Sequence, residues 1–366
     1  MNLHIMYDEK VISRAIQYFE EALPGQNKYI IFSKKRKEDR IVKTELPTVL
    51  FTTYGSKGFW EFVGDTQAYN NIILHYLGFQ SVKFAEEVSN TDNFVWIVWG
   101  GDLYNMILEP YGYRLYADPK VCGNWLHRFF SRDNMLWRKY LAKKRVKLMK
   151  RIPNMAILNC DYKLLREYFP EIKPLVRKFF YYPVNDMVNY SLLNRRIISN
   201  NIFVGNSSQP TNNHHSVFEA ISKYDIGERK VITPLSYGSK QGKDDALKWG
   251  KILLKDNFYP ITDYLPLEKY NELMLSANIF IYGQYRQEAF GNIVVALYIG
   301  GIVVLDPRNP LMYDLKDNGF IVFSIEDLGK LISYKMPEES IQKNRSLINT
   351  YYSRENLLRV IKESFG

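Results

Sequence analysis

The chain has 366 residues, of which 46% are hydrophobic and 24% are charged. This length favours two domains, and the composition excludes an intrinsically disordered protein. The formal net charge of +10 favours an anionic partner, such as nucleic acid, a phosphorylated ligand or an acidic membrane surface.

Short apolar runs alternate with polar stretches in the first half of the chain. They predict strands at residues 2–7, 28–32, 48–52, 71–75, 93–99, 155–159 and 178–182. A helix is predicted over residues 10–23, directly after the first strand. The polar, asparagine-rich residues 185–200 are typical of a connector between two domains.

The second half has a more regular pattern. Strands are predicted at residues 201–205, 230–234, 278–283, 302–306 and 320–324, and helices at 214–224, 243–255, 267–277, 292–299 and 310–317. Such alternation with short connections predicts a parallel sheet with helices on both faces. We therefore predict α/β domains at residues 1–185 and 186–345, followed by a C-terminal helix within residues 346–366.

One candidate site lies in residues 95–104, which read VWIVWGGDLY. The apolar run predicts a buried strand, after which Gly100 and Gly101 free the backbone. Asp102 is therefore expected at the exit of a strand. In α/β proteins, ligands bind at this edge of the sheet.

A second candidate site follows the predicted strand 278–283. Its loop contains polar residues and then a glycine–asparagine pair that begins an apolar helix: Gln284, Arg286, Gln287, Glu288, Gly291 and Asn292. A helix N-terminus offers free N–H groups to phosphate, and Gly291 would allow close approach. Arg286 could clamp the same phosphates, and Glu288 could accept hydrogen bonds from sugar hydroxyls. The alternative is an ordinary turn in which Asn292 only caps the helix.

Two further loops are predicted at the same sheet edge. In FVGNSSQPTNNH (residues 203–214), a strand is followed by Gly205, Asn206 and Ser207, which leave room for a ligand and supply hydrogen-bond donors. In PLSYG (residues 234–238), Tyr237 offers a stacking face for a base. The histidines at 214 and 215 are expected to begin a helix, because no nearby acid or cysteine completes a metal site.

Familiar phosphate-binding motifs are absent. GSKQGK at residues 238–243 has three residues between its glycines, whereas a P-loop has four, and Asp244 follows its lysine. No GxGxxG follows any predicted strand, so a dinucleotide fingerprint is absent. Two cysteines, Cys122 and Cys160, have no metal-type spacing and favour a reducing compartment.

The motifs VWIVWGGDLY, FVGNSSQPTNNH, PLSYG and NPLMYDL (residues 309–315) follow one another in an order that resembles a known family. This family is that of the TDP-N-acetylfucosamine:lipid II N-acetylfucosaminyltransferases, also called 4-α-L-fucosyltransferases or glycosyltransferase family 56. The resemblance covers roughly residues 75–314. It implies a GT-B fold, in which two Rossmann-like domains with parallel sheets face each other across a cleft.

The resemblance also implies an activity. The C-terminal domain would hold a nucleotide-diphosphate sugar, and a polyprenyl-diphosphate-linked glycan would be the acceptor. The donor loop resembles the wider GT-B pattern E-x7-E in Glu288, but Ala296 stands where the second glutamate would be. No Asp-x-Asp pair occurs in the chain, which fits a metal-independent enzyme without a cofactor.

In such an enzyme the N-terminal domain would bind the acceptor. Asp102 would then be a candidate for the base that takes the proton of the acceptor hydroxyl, with His75 as a rival base. Gly100 and Gly101 would let the substrate approach, and Trp99 or Tyr104 would stack on a sugar ring. The alternative for Asp102 is a structural role, as a helix cap or as the partner of an arginine.

A basic segment completes the pattern. Residues 128–151 contain ten Lys or Arg and one acid, with apolar residues near helical spacing. Such a helix can dock on anionic lipid headgroups, although a solvated basic face over a normal core is the alternative. The chain has no apolar window of ~18 residues and carries acids at positions 8 and 9. We therefore predict a cytoplasmic protein, peripheral on the inner face of a bacterial membrane.

Two other functions fit parts of the pattern. A nucleotide-sugar epimerase or hydrolase of GT-B fold would act on the donor without an acceptor. A nucleic-acid-binding protein would suit the charge and the 15% aromatic content. The basic residues cluster in one segment and no RNA-binding motif is present, so we predict no nucleic-acid partner.

Overall fold

The computed structural model describes residues 1–117, 135–187, 195 and 197–366. Within these residues the chain forms two compact units. The first unit comprises Met1–Tyr113, the described part of Phe129–Pro183, and Arg354–Gly366. The second comprises the described parts of Arg114–Arg128 and Val184–Ser353.

The first unit is a parallel sheet with helices. Its strands are β1 (Asn2–Tyr7), β2 (Asn27–Phe32), β3 (Val49–Thr52), β4 (Asn71–Leu74), β5 (Phe94–Ile97), β6 (Asn154–Ala156) and β7 (Leu175–Arg177). Its helices are α1 (Lys10–Ala22), α2 (Phe59–Val63), α3 (Phe79–Glu87), a π-helix at Gly101–Leu108, α4 (Met135–Met149), α5 (Asn159–Tyr168) and α14 (Arg354–Phe365).

The strand order of the first sheet places a crevice at one point. The order is β3-β2-β1-β4-β5-β6-β7, and every pairing is parallel. The chain runs outward from β1 to β3 on one side and from β4 to β7 on the other. The order therefore reverses between β1 and β4, and the loops at their carboxyl ends diverge there, where α/β sheets bind ligands.

The core of the first unit joins the two ends of the chain. Phe19 of α1 packs against Phe365 of α14 with ring centroids 5.3 Å apart, and both side chains are buried. The amide of Asn2 donates to the backbone carbonyl of Phe365 at 3.1 Å. The last helix thus covers the face of the sheet against which α1 packs.

The second unit repeats the same plan. Its strands are β8 (Asn201–Val204), β9 (Val231–Pro234), β10 (Phe258–Ile261), β11 (Ala277–Tyr282), β12 (Ile302–Leu305) and β13 (Phe323–Ser324). Its helices are α6 (Val184–Met187), α7 (His214–Ile221), α8 (Lys240–Leu254), α9 (Leu267–Leu275), α10 (Phe290–Ile299), α11 (Pro310–Asp317), α12 (Leu328–Leu331) and α13 (Glu338–Tyr351).

The second sheet also reverses its order once. Its strands follow the order β10-β9-β8-β11-β12-β13 and are all parallel. The reversal lies between β8 and β11, so the loops after Val204 and Tyr282 border the crevice. The prediction of parallel sheets alternating with helices is therefore confirmed for both units.

Two local predictions were wrong, and one strand was missed. No strand forms at residues 178–182, because Phe179 and Tyr181 pack into the core of the first unit, and the strand lies instead at Leu175–Arg177. Strand β10 was missed because it contains Pro260, which an edge strand tolerates. The predicted strand at 93–99 ends at Ile97, so Asp102 lies in the π-helix instead of at a strand exit.

Over the described parts of the chain, no helix is both long and apolar enough to cross a bilayer.

Candidate functional site

The crevice of the second unit is bridged by one buried amide. Gln284, in the loop after β11, is fully buried. Its Nε2 donates to Oδ1 of Asn212 at 2.9 Å and to Oδ1 of Asn206 at 3.2 Å, and both asparagines belong to the loop after β8. Its Oε1 has no hydrogen-bond partner among the described residues. The fold thus brings together Gln284 and Asn206, which the sequence predicted for one site. It leaves Oε1 of Gln284 as a buried acceptor for a ligand.

Gly205 cannot be replaced without moving this bridge. Its φ is +68°, and an added Cβ would lie 2.6 Å from Oδ1 of Asn212 and 3.0 Å from Nε2 of His214. That oxygen of Asn212 also accepts from the backbone N–H of Asn206 at 2.9 Å. Asn212 therefore fixes the turn that follows β8. Asn212 was not predicted as a site residue, although this asparagine lies in the TNNH stretch directly before a helix.

Two other predicted residues of this edge have different environments. Ser207 is buried, and its hydroxyl accepts from Nδ2 of Asn212 and the N–H of Gln209. The side chain of Tyr237 is about half exposed, and its hydroxyl accepts from Nδ2 of Asn206 at 3.1 Å. Ser207 thus shapes the loop, whereas Tyr237 presents a ring at the rim of the crevice.

The charged residues of the loop after β11 pair with each other. Oε2 of Glu288 accepts from Nε and Nη2 of Arg286 at 3.0 and 2.9 Å, and from the hydroxyl of Thr211 at 2.7 Å. Both charged side chains are mostly buried. Gln287 lies between them and is half-buried. A ligand that uses Arg286 would therefore meet a guanidinium that is already oriented by a carboxylate.

Helix α10 begins directly after this loop. Ala289 precedes it with φ +60°, and its carbonyl accepts from the N–H of Ile293. The N–H groups of the first three helical residues, Phe290, Gly291 and Asn292, make no hydrogen bond within the described residues. A Cβ on Gly291 would meet only a sulfur atom at 3.8 Å. This helix N-terminus is therefore open, as an anion site requires.

Asn292 does not cap the helix. It is the third helical residue, and its Nδ2 donates to the hydroxyl of Tyr270 at 2.7 Å. The alternative in which Asn292 is only a cap is therefore wrong.

Asp102 holds the corresponding edge of the first unit. It is fully buried and accepts four hydrogen bonds of 2.9 Å each, from the N–H groups of Leu77, Trp99 and Leu103 and from the indole of Trp96. Burial raises its pKa to about 7, and these four donors act in the opposite direction. The carboxylate thus ties the loop after β4 to the turn after β5.

The residues beside Asp102 differ in access. Trp99, Gly100 and Gly101 are half-buried and keep part of their surface in solvent. Tyr104, predicted to stack on the acceptor, is fully buried, and its hydroxyl donates to Asp161 at 2.6 Å. The ring of Tyr104 therefore belongs to the core, because its hydroxyl is satisfied inside the protein.

His75 is part of a buried hydrogen-bonded chain. Its Nε2 lies 3.0 Å from Nδ1 of His4, whose Nε2 lies 3.2 Å from Oδ1 of Asn27. Its Nδ1 lies 2.8 Å from the hydroxyl of Tyr181, which accepts from the indole N–H of Trp99 at 2.7 Å. Both nitrogens of the predicted rival base are thus occupied, and the chain ends on the half-exposed Trp99.

The donor and acceptor roles in this series of hydrogen bonds follow from Asn27, at its far end. Nδ2 of Asn27 donates to the carbonyls of Phe19 and Leu23, so its Oδ1 must accept from His4. Burial lowers the pKa of His4 to about 3 and that of His75 well below its ordinary value, so both rings are neutral. Each ring therefore carries its proton on Nε2, and Tyr181 donates to Nδ1 of His75.

The basic segment is only partly described, since residues 128–134 lie outside the described residues. Helix α4 exposes Met135, Leu136, Trp137 and Tyr140, and the rings of the last two stack at 5.3 Å. Lys139, Lys143 and Lys147 are exposed on the same helix. In contrast, Lys144 pairs with Glu86 at 3.6 Å and Arg145 is buried.

Among the residues that the structure describes, no group of three or more His, Cys, Asp or Glu side chains is placed to hold a metal ion.

The sequence model of the 4-alpha-L-fucosyltransferase family, glycosyl transferase group 56, matches residues 85–349, which is more than half of the chain. The chain belongs to this family. It is therefore a glycosyltransferase, and the predicted family and enzyme class are confirmed.

Solved structures show the same fold at low identity. Sucrose-phosphate synthase from Thermosynechococcus elongatus matches with a TM-score of 0.65 at 10% identity, over 99% of this chain and 98% of that one. A glycosyltransferase from Rickettsia africae matches at 0.63 and 13%, over 100% and 97%. HepE from Anabaena, solved with UDP, matches at 0.61 and 11%, over 99% of each chain. The fucosyltransferase-family chain thus has a GT-B fold.

The buried histidines provide a first prediction. In long-range ¹H–¹⁵N spectra at pH 5, His4 should be neutral and protonated at Nε2, because burial lowers its pKa to about 3. His75 should also be neutral and protonated at Nε2, because burial lowers its pKa and its Nδ1 accepts from Tyr181. An ordinary histidine, with a pKa of ~6.5, would be mostly charged. Tyr181→Phe should shift the Nδ1 signal of His75 and leave His4 unchanged. A charged ring, or a proton on Nδ1, would contradict the derived direction.

Proposed function

We propose that this glycosyltransferase moves a deoxy or acetamido sugar, such as 4-acetamido-4,6-dideoxygalactose, from a nucleotide-diphosphate sugar to a polyprenyl-diphosphate-linked glycan. The expected nucleotide is dTDP, and the expected pathway is bacterial surface polysaccharide synthesis. The family membership supports the sugar class, and the UDP bound by the Anabaena relative supports a nucleotide donor.

The observation that carries the donor proposal is the crevice between β8 and β11. It combines the open N-terminus of α10 with the guanidinium of Arg286 and the unpartnered Oε1 of Gln284. N–H groups and a guanidinium suit a diphosphate, while a buried amide oxygen and Glu288 suit sugar hydroxyls. We assign Gly205, Asn206, Gln287, Gly291 and Asn292 to the walls of this donor site. We propose that the ring of Tyr237 stacks on the base.

In the first unit we propose that Trp99, Gly100 and Gly101 contact the acceptor. The indole N–H of Trp99 is held by Tyr181 and its backbone N–H by Asp102, so the ring is fixed from two sides. Asp102 lies directly behind this surface, with its oxygens occupied. We propose that it shapes the acceptor surface, and that proton removal by Asp102 would require this turn to open.

We further propose that α4 docks on an anionic membrane from the cytoplasmic side. Its exposed side chains combine stacked aromatic rings with lysines, a pattern that suits the boundary between headgroups and acyl chains. A lipid-linked acceptor would be presented at the same surface.

The first test is calorimetric titration with dTDP, UDP, GDP and CMP, with a short RNA as control. One nucleoside diphosphate should bind selectively, and Gly291→Ala should weaken its binding at least tenfold because the Cβ would occupy the space for phosphate oxygens. The melting temperature should not fall, since alanine favours a helix by about 1 kcal/mol over glycine and has room here.

Gly205→Ala is the matched control for this variant. Its Cβ would collide with Asn212 at a positive φ, so both stability and binding should decrease. If Gly291→Ala binds nucleotide like the unaltered protein, the α10 site is wrong. If only RNA binds, the transferase proposal fails, and if donor is consumed without acceptor, the epimerase or hydrolase alternative is correct.

Asp102→Asn tests the acceptor side. The asparagine amide would point N–H groups at donors of the turn, so we expect a loss of about 1–3 kcal/mol in the free energy of unfolding. Turnover with a lipid-linked acceptor should decrease, and nucleotide affinity should remain. A stable variant with unchanged melting temperature and strongly reduced turnover would instead identify Asp102 as the base.

Membrane docking is tested with vesicles that contain an anionic lipid. Exchange of Lys139, Lys143 and Lys147 for Gln should release the protein, because each basic residue near such a surface contributes about 1 kcal/mol. Exchange of three exposed lysines of the second unit, Lys223, Lys251 and Lys316, removes the same charge and should leave binding unchanged. Equal release by both triple variants would show that vesicle binding depends on net charge alone and not on α4.

A further inference from the structure

Arg145 is a buried cation of the first unit that is not part of the exposed basic face. It is 6% exposed. Its Nε donates to the carbonyl of Leu77 at 2.9 Å and its Nη1 to that of Leu141 at 3.3 Å. Its Nη2 makes no hydrogen bond within the described residues.

Among the residues that the structure describes, no carboxylate forms a direct ion pair with Arg145. The titratable groups that act on it are Tyr76, Asp102 and Tyr7. Asp102 is the only carboxylate among them, and its oxygens already accept from four other donors. A guanidinium stays charged in proteins, so a buried one without a carboxylate is costly unless an anion meets it.

This arginine lies beside the strand-order reversal of the first sheet, the position where α/β sheets generally bind ligands. Leu77, which it contacts, follows β4 directly, and the strand order reverses between β1 and β4. Tyr7 ends β1, and its hydroxyl accepts from the N–H and the hydroxyl of Ser81, so its own proton is available to another acceptor. Donors from both strands therefore converge on the crevice.

Helix α3 adds a further donor and an apolar surface. It starts at Phe79 after Gly78, and the N–H of its third residue, Ser81, donates to the hydroxyl of Tyr7. The N–H of Phe79 makes no hydrogen bond within the described residues. The Phe79 ring is 58% exposed, and Lys83 lies 4.8 Å from its centroid. An anion at this helix N-terminus would therefore lie next to an exposed ring that can bind a hydrocarbon chain.

We propose that Arg145, Tyr7 and the N-terminus of α3 form a binding site for a prenyl-linked diphosphate. The diphosphate accepts from Nη2 of Arg145, the phenol proton and the N–H of Phe79, and the first isoprene units lie on the Phe79 ring. This proposal rests on the proposed function, since it identifies the part of the first unit that binds the diphosphate of the acceptor.

The test uses farnesyl diphosphate and the full chain, with calorimetry as the readout. Arg145→Met should weaken binding at least tenfold. Lys150→Met also removes one cation from the first unit, but from an exposed ion pair with Glu171, and should change the affinity less than twofold. Arg286→Ala removes the cation of the donor loop in the second unit and should leave the affinity for farnesyl diphosphate unchanged. Loss of binding in Arg286→Ala instead of Arg145→Met would overturn the proposal.

Two further measurements keep the result decisive. Because Arg145→Met removes a bond to Leu77 and could unfold the loop, hydrogen exchange on the unaltered protein should show protection of residues 76–82 by farnesyl diphosphate. Lack of protection there would also overturn the site. If nucleoside diphosphates bind but farnesyl diphosphate does not, this site is wrong and the donor proposal stands. If farnesyl diphosphate binds through Arg145 and no nucleoside diphosphate binds, the site stands and the donor proposal fails.

Discussion

The parallel direction of all strands is the constraint on which both candidate sites depend. In each sheet it brings every carboxyl end to one edge, and the order of strands reverses once, at β1/β4 and at β8/β11. Loops on either side of a reversal diverge, so the backbone itself leaves a crevice. The proposed diphosphate sites lie at these two points. The first unit has Tyr7 and the Leu77 turn, and the second has the loops joined by Gln284.

At both edges a buried polar side chain joins two loops by hydrogen bonds. Asp102 and Gln284 are fully buried, and each connects the loops that follow two neighbouring strands. Loss of a partner would leave a buried polar atom unpaired, at a cost of about 1–3 kcal/mol, so the loops move only at substantial expense. The difference lies in what remains unpaired. All lone pairs of Asp102 face donors, whereas Oε1 of Gln284 faces none among the described residues. Asp102 therefore suits a fixed surface, and Gln284 suits ligand contact.

The fold could be predicted from the sequence because it depends on local patterns. Strands such as β1, β8 and β12 are short apolar runs bounded by polar residues, and their alternation with helices determines the class. Strand β10 was missed because its proline is acceptable only at a sheet edge, and a single sequence does not reveal edge positions. The strand predicted at residues 178–182 was wrong for a related reason. The aromatic ring of Phe179 in this segment packs against Phe19 and Phe365, which are distant in sequence.

The sites were predictable as loops but not as contacts. Gly205, Gln284 and Glu288 follow strands, so their common edge follows from the topology. That Arg286 binds Glu288, or that Asp102 faces four donors, depends on side-chain directions set by tertiary packing. The π-helix at Gly101–Leu108 also could not be predicted, because its sequence has no signal that separates it from an ordinary turn after a strand.

The distribution of cations illustrates the same limit in physical terms. In the sequence, KKRVK at residues 143–147 is one basic run. In the folded chain its members separate by helical position: Lys143 and Lys147 face solvent four residues apart, Lys144 meets Glu86, and Arg145 turns inward to the Leu77 carbonyl. A solvated lysine has a small desolvation cost and attracts anions over a long range. A desolvated guanidinium binds only a group that forms direct hydrogen bonds with it. The same run thus supplies exposed lysines, which we propose attract an anionic surface, and a buried guanidinium, which we propose donates to a phosphate.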